Sequence, residues 1–305
     1  MTADWIAVDW GTSNLRAWAM ARDGAVLATG ESADGMGTLT PERYEPALLR
    51  IIGGWLDGLP GDRRLPVVIC GMAGARQGWV EAPYAPAPCA AVPANPARPA
   101  VADARIDVMI LPGVKQAQPP DVIRGEETQV AGLLARHPGF EGVALLPGTH
   151  SKWVHVQADE IVSFATFMTG EMFALLSRQS VLRHTVLGTG ADDGAFVAAV
   201  DAALTDPARA WARLFGLRAE ALIANLSADT ARARLSGTLI GLELAGARAW
   251  WLGMRVALVG SGELGRLYAL ALGHVGITPE RCDTTDLTLA GLTRAHAALA
   301  KDTCR

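Results

Sequence analysis

Residues 5–18 read WIAVDWGTSNLRAW, and this stretch decides how the chain is read. The run Ile6-Ala7-Val8 is β-rich and ends in Asp9. Gly11-Thr12-Ser13 follows as a small-residue turn, and a second apolar strand leaves it carrying Arg16. The chain therefore doubles back tightly beside a carboxylate, where backbone N–H groups and hydroxyls can face an oxyanion. Asp9 suits a water-clad Mg²⁺, Gly11 allows close backbone approach, and Arg16 offers charge for a polyphosphate. An ordinary N-terminal hairpin with a polar tip fits the same residues.

The chain has 305 residues, half of them apolar, enough for two cores of ordinary size or one large one. A net charge of −4 with no Lys/Arg-rich block argues against a nucleic-acid partner. Lysine occurs only at Lys115, Lys152 and Lys301. Cys70, Cys89, Cys282 and Cys304 show no CxxC spacing and there is no N-terminal signal pattern, so free thiols in a reducing cytoplasm are expected. Charges or Gly/Pro interrupt every apolar run before membrane-spanning length, so no membrane partner is expected.

Strands are expected at 5–9, 14–20 and 25–31, a helix from Thr40 to about Asp57, and a buried strand at 65–70. Residues 81–100, rich in Pro and Ala, read as a long loop. A strand at 107–111 and a helix from about 125 to 136 precede the stop His137-Pro138-Gly139. The opening pattern then returns: an apolar run at 143–146, the turn Pro147-Gly148-Thr149-His150-Ser151, an apolar run at 152–156, and a third strand at 161–164. Helices are expected near 171–183, 190–202, 207–216, 227–251, 263–272 and 285–300, with a strand at 255–259. Two units that each begin strand–Gly-Thr turn–strand imply a duplicated architecture, with domains at 1–137 and 138–305.

Two Gly-Thr turns a domain apart would grip a triphosphate from both sides, an arrangement suited to chemistry made of positioning and charge stabilisation. A third element, Gly260-Ser261-Gly262-Glu263-Leu264-Gly265, satisfies G-x-G-x-x-G between a strand and a helix. A nicotinamide-binding fold is its rival reading, but only residues 266–305 follow, too few for five or six parallel strands. Adenosine contact is favoured. Glu126 and Glu127 open a helix, where the dipole favours carboxylates; a kinase also needs a carboxylate to take the proton of the attacking hydroxyl. The glycine-rich loop 71–81 gathers Arg76, Gln77, Trp79 and Glu81. Arg76 suits a forked bond to an acid and Trp79 a flat wall for a carbon chain, while a solvated loop with a packed Trp fits equally.

The motif Asp9-x-Gly11-Thr12-Ser13-x-x-Arg16-Ala17 resembles the first phosphate motif of the actin/hexokinase/Hsp70 superfamily, closest to its sugar-kinase branch. Pro147-Gly148-Thr149-His150 stands where the second phosphate motif falls, and Val259-Gly260-Ser261-Gly262 where the adenosine motif falls. More narrowly, RGEETQVAGLL, LLPGTHSKWV with FATFMTGEMFALL, and GMAGARQGWVEAPY resemble the 2-dehydro-3-deoxygalactonokinase family. The resemblance implies an α/β fold of two ribonuclease-H-like (actin-like ATPase) domains with mixed sheets around a central cleft. It implies transfer of a phosphoryl group from ATP, with Mg²⁺, to the terminal C6 hydroxyl of 2-dehydro-3-deoxy-D-galactonate, with another sugar acid such as 2-keto-3-deoxy-gluconate as the alternative acceptor.

Carried over, it puts Asp9 near the metal; Gly11, Thr12, Ser13, Arg16, Gly148, Thr149 and His150 around the phosphates; and Gly260, Ser261 and Gly262 at the adenosine. Glu126 stands where related sugar kinases have the Asp of a Gly-Asp-Gln motif and is taken as the base, with Glu127 beside it. The partner is a small sugar acid, with a homodimer plausible from the Trp content. A non-catalytic nucleotide sensor and, more remotely, a nicotinamide-dependent oxidoreductase are the alternatives.

Overall fold

The computed structural model describes residues 3–61 and 63–302; Cys304, expected as a free thiol, lies outside them. In chain order the strands are β1 (Trp5–Trp10), β2 (Leu15–Met20), β3 (Val26–Ser32), β4 (Leu65–Gly71), β5 (Tyr84–Pro86), β6 (Cys89–Ala90), β7 (Ile106–Ile110), β8 (Gly113–Gln116), β9 (Asp121–Ile123), β10 (Gly142–Leu146), β11 (Ser151–Gln157), β12 (Glu160–Phe167), β13 (Val256–Val259) and β14 (Glu280–Cys282). The helices are α1 (Tyr44–Leu56), α2 (Glu126–Arg136), α3 (Thr169–Arg178), α4 (Asp193–Thr205), α5 (Ala210–Ile223), α6 (Ala228–Gly246), α7 (Arg248–Trp251), α8 (Gly262–His274) and α9 (Thr284–Asp302).

The chain forms two compact units. One comprises residues up to Phe140, Val156–Ser163 and the stretch from Thr284 onward; the other comprises Glu141–His155 and Phe164–Asp283. The expected single cut after residue 137 is therefore incomplete, because α9 belongs with the first unit.

In the first unit the sheet order is β3-β2-β1-β4-β7. β1 pairs antiparallel with β2, parallel with β4, and β4 parallel with β7. This mixed 3-2-1-4-5 order is that of a ribonuclease-H-like domain. Strand alternation sorts the side chains of β1. Ile6, Val8 and Trp10 join Tyr44, Leu48 and Ile52 of α1 in one core, while Trp5 and Ala7 join Leu292 and Ala295 of α9 in another. The last helix returns to this unit because the second face of its sheet needs an apolar cover. Trp5 also stacks on His296, ring centroids 4.4 Å apart.

The second sheet runs β14-β13-β10-β11-β12, with the two-residue β6 added antiparallel beside β12; β10 and β13 are parallel, and so are β13 and β14. Read from its far edge, it repeats the 3-2-1-4-5 order, so the duplication expected from the two turns is present in the topology. Ala158 and Asp159, both at positive φ, make the two-residue turn between β11 and β12. Val143, Leu145 and Trp153 pack with Phe196, Ile240, Leu244, Val256, Leu258 and Tyr268 in this unit's core.

The sequence misses the small pairings. Residues 81–100 are not structureless: β5 pairs with β8, β8 with β9, Cys89 and Ala90 pair with Ile161 and Glu160, and Ala97 bridges Ile110. These are short edge segments, where Pro is tolerated and periodicity is too brief to register. β14 was missed for the same reason. The helix expected over 227–251 divides at Ala247 into α6 and α7. Of the nine tryptophans only Trp211 is exposed, so the Trp content is core rather than surface.

Helices α2 and α9 cross at two glycines. A Cβ on Gly132 would lie 1.9 Å from the Leu287 carbonyl oxygen, and one on Gly291 would lie 1.9 Å from that of Thr128. Gly132→Ala forces the helices apart, and overpacking of this kind costs about 1–3 kcal/mol. Denaturant unfolding should show a lower midpoint at unchanged slope; an unchanged midpoint would contradict the packing.

Candidate active site

The first turn sits at the C-terminal end of β1. The Gly11 N–H closes it on the Asn14 carbonyl at 2.8 Å, and Met36 and Gly37 donate to the carbonyls of Gly11 and Thr12 at 3.0 and 2.9 Å. Its carbonyls are thus held from behind, while Thr12, Ser13 and Asn14 are exposed. Asp9 and Arg16 are register partners across β1 and β2, and the Arg16 Nη2 donates to Asp9 Oδ2 at 2.6 Å. The guanidinium expected to face a phosphate is held first by the carboxylate. Arg16 also reaches the Thr285 hydroxyl at 3.4 Å.

Close backbone approach joins this strand end to the start of α2. Gly71 ends β4 at φ +87°, and a Cβ there would lie 2.6 Å from the Trp10 carbonyl oxygen; Gly125 has φ +103° and stands against Gly71. Only glycine meets both the conformation and the space. The two carboxylates that follow are not equivalent. Glu127 is 1 % exposed, accepts the Gly125 N–H at 2.7 Å and the Thr128 hydroxyl at 3.1 Å, and so caps its own helix. Burial, and then the neighbouring Glu126 charge, raises its carboxyl from about 4.5 to about 7. Glu126 is half-buried and accepts the Arg124 N–H at 2.9 Å. Of the pair, Glu126 is the one solvent reaches. Cys70, buried beside Asp9 and Glu127, has its thiol pushed up by burial and then by those two charges.

Arg76, Gln77 and Glu81 are exposed on a tight loop after β4. Trp79 is not a free wall: it is half-buried, with Trp10 and Tyr44 at ring-centroid distances of 6.2 and 6.0 Å. It packs against the core of this unit as the alternative reading of the residue expects. The sequence reading passed over Arg124, which stacks 4.2 Å from the Tyr84 ring centroid and donates to the Ala82 carbonyl at 2.8 Å. Its place two residues before Glu126 was the available signal.

In the second unit, Gly148, Thr149 and His150 lie between β10 and β11, with Thr149 and His150 exposed. The start of α3 presses on this turn. A Cβ on Gly170 would lie 2.2 Å from the Gly148 carbonyl oxygen, the Glu171 N–H donates to the Thr149 carbonyl at 2.9 Å, and the Glu171 carboxylate meets His150 Nε2 at 2.6 Å. Lys152, buried just beyond, donates to the Thr166 hydroxyl at 2.9 Å and was also missed.

Gly260 follows β13, and Ser261 and Gly262 are exposed before α8. A Cβ on Gly265 would lie 2.8 Å from the Gly260 carbonyl oxygen, so the third glycine of the motif serves helix–strand packing. β13 lies between β10 and β14 and runs parallel to both. Beside α8 opens a cavity of about 930 Å³, lined among others by Thr169, Phe173, Asp193, Arg232, Arg266 and Tyr268. Arg266 is clamped by Asp193 and Glu263 through four bonds of 2.8 Å, and Arg232 stacks on Phe173 at 4.9 Å. This space has no local signature, because its walls come from four helices and the segment 186–192.

Two sheets of repeated 3-2-1-4-5 order, each opened by a strand–Gly-Thr turn–strand, define the actin/hexokinase-like ATPase class. The family model described as 2-keto-3-deoxy-galactonokinase matches residues 9–295. The candidate 2-dehydro-3-deoxygalactonokinase DgoK1 of Rhizobium meliloti (strain 1021) is 44 % identical over 299 residues, 96 % of each chain. The 2-dehydro-3-deoxygalactonokinase of Escherichia coli (strain K12) is 33 % identical over 98 % of this chain and 97 % of its own. A crystal structure of a candidate 2-dehydro-3-deoxygalactonokinase from Sinorhizobium meliloti superposes with a TM-score of 0.85 at 44 % identity, covering 97 % of this chain and 96 % of that one. The chain belongs to the 2-keto-3-deoxy-galactonokinase family.

The raised carboxyl of Glu127 makes stability pH-dependent. Below about pH 4.5 the group is protonated in folded and unfolded chains alike. Between about 4.5 and 7 the unfolded chain releases the proton first, so stability falls as pH rises. The full difference is on the order of 3 kcal/mol. Glu127→Gln keeps the Gly125 cap and removes the titration, so urea unfolding at pH 5 and pH 8 should show a smaller loss than wild type. Parallel losses would contradict it.

Proposed function

We propose that this chain transfers the γ-phosphoryl group of ATP to the C6 hydroxyl of 2-dehydro-3-deoxy-D-galactonate, giving the 6-phosphate and ADP. The observation that carries this is the repeated strand–Gly-Thr turn–strand, present at the head of both sheets of a chain in this kinase family. Gly11, Thr12 and Ser13 in one unit, and Gly148, Thr149 and His150 in the other, each offer phosphoryl oxygens backbone N–H groups and hydroxyls. The α8 cavity takes the nucleoside, with Gly260, Ser261 and Gly262 at its approach. Its size suits a ligand of that class.

Glu126 accepts the proton of the attacking hydroxyl as the O–P bond forms and the bond to the β-phosphate oxygen breaks. It stands at a helix N-terminus, where the dipole favours a carboxylate, and buried Glu127 fixes the turn from which it projects. Arg76 meets the substrate carboxylate, with Gln77 and Glu81 on the same exposed loop; Trp79 supports that loop from beneath.

Among the described residues no group of three or more His, Cys, Asp or Glu side chains stands ready to hold a metal. The single carboxylate of Asp9 fits an ion held mainly by water and phosphate oxygens, as Mg²⁺ is. Such an ion, when bound, neutralises charge on the phosphates. Asp9 would face it while Arg16 fixes the carboxylate's direction.

No described helix is long and apolar enough to cross a membrane. Use of ATP and the free thiols of Cys70, Cys89 and Cys282 support a cytoplasmic setting. The exposed α5 side chains Trp211, Phe215 and Leu222, rather than the Trp content at large, are what support a homodimer.

A coupled ADP-release assay across 2-keto-3-deoxy-galactonate, 2-keto-3-deoxy-gluconate and simple hexoses tests the reading. ADP release should require a keto-deoxy acid and be fastest with the galactonate. Glu126→Gln should lower kcat by about 10²–10⁴-fold with nucleotide affinity retained; near-wild-type turnover would remove Glu126 as base. Arg76→Ala should raise the KM for the sugar acid by about tenfold or more and leave that for ATP alone. An unchanged sugar-acid KM would move the carboxylate site elsewhere.

A further inference from the structure

One buried carboxylate takes no part in the chemistry above. Glu243 on α6 is 2 % exposed, and among the described residues its partners are hydrogen-bond donors, not cations. Its Oε1 accepts the Trp153 indole N–H at 2.8 Å; its Oε2 accepts the Tyr268 hydroxyl at 2.6 Å and the Thr169 hydroxyl. The Ser151 hydroxyl lies 2.8 Å from the Tyr268 oxygen and is itself a further hydrogen-bond partner of Glu243. Burial pushes the Glu243 carboxyl up, and the bonds from Thr169, Tyr268 and Trp153 pull it back. A lone buried carboxylate is costly unless well supplied with donors. Here the donors mark what the carboxylate holds.

They hold the second turn. Ser151 and Trp153 lie on β11, directly after Gly148-Thr149-His150. Thr169 opens α3, whose next residue, Gly170, touches the Gly148 carbonyl. Tyr268 is on α8. Thr169, Gly170 and Tyr268 also line the cavity. One carboxylate on α6 therefore ties β11, α3 and α8 around the turn and along the cavity wall.

We propose that Glu243 is a positioning residue for phosphoryl transfer, fixing the Gly148–His150 turn against the cavity wall without itself touching nucleotide or sugar acid. This rests on the assignment of that turn and cavity to ATP. Glu243→Gln keeps the size and one acceptor but sets an amide N–H₂ against a hydroxyl or indole donor, so the turn loses part of its hold. A displacement of about 1 Å at a phosphate site costs on the order of 10²-fold in rate.

The test is steady-state ADP release with ATP varied, for wild type, Glu243→Gln, Tyr268→Phe and Thr169→Val, with the melting temperature and folded fraction of each. Glu243→Gln should lower kcat per folded molecule by about 10–100-fold while the KM for ATP changes less than about threefold. Tyr268→Phe and Thr169→Val should each give a smaller fall in the same direction. Wild-type kcat per folded Glu243→Gln molecule, whatever its melting temperature, overturns the proposal. If Glu243→Gln does not fold, the single-bond variants decide: lowered kcat at unchanged ATP KM supports it, and wild-type kcat in both overturns it. Wild type that releases no ADP with any acceptor defeats the parent reading, and Glu243's role with it, in an arm separate from the variants.

Discussion

The central strands of both sheets are closed to chemistry along their length. β10 and β13 are buried at every residue, and β1 at every residue but Asp9. Strands covered on both faces can carry polar function only where they end, which is why ligands of such sheets bind beyond their carboxyl ends. Asp9 with the first turn, the Gly148–His150 turn and Gly260–Gly262 all follow from that constraint. Each lies at the C-terminal end of a strand whose interior has no room for it.

Close approach then decides what stands beside those ends. At Gly71 and Gly125 two backbones meet too tightly for a Cβ, bringing the start of α2 against the end of β1. At Gly170 the start of α3 presses on the second turn in the same way. Two adjacent glutamates at one helix start are thereby given different work. Glu127 turns inward, caps the helix and is raised by burial, whereas Glu126 keeps solvent contact. Burial, not residue type, separates them. A similar division holds in the second unit, where exposed His150 meets half-buried Glu171 at the turn while Glu243 is buried.

The long elements were legible because their signals are local. The strand–turn–strand units at residues 5–20 and 143–156, the Pro-led helix into α1 and the α8 motif declare themselves by spacing and turn residues. The repeated 3-2-1-4-5 order follows from finding the same opening twice. What could not be read depends on partners distant in sequence. The β8–β9 hairpin, β14 and the pairings within 81–100 are too short for periodicity. α9 returns to the first unit to cover a sheet face, which no local pattern announces. Trp79 reads as a ligand wall or as core with equal ease, and only its contacts with Trp10 and Tyr44 decide. The α8 cavity and the Glu243 network assemble side chains as much as 117 residues apart, and the lone Glu within an otherwise ordinary helix gave no cue.

The account stands on two Gly-Thr turns, one in each unit, each proposed to serve phosphoryl oxygens of ATP. The direct measurement is a crystal structure of the chain with Mg²⁺, a non-hydrolysable ATP analogue and the sugar acid. It should show backbone or hydroxyl donors of both Thr12 and Thr149 within about 3 Å of oxygens on the same phosphoryl tail. A nucleotide that engages one turn and leaves the other facing solvent would contradict it.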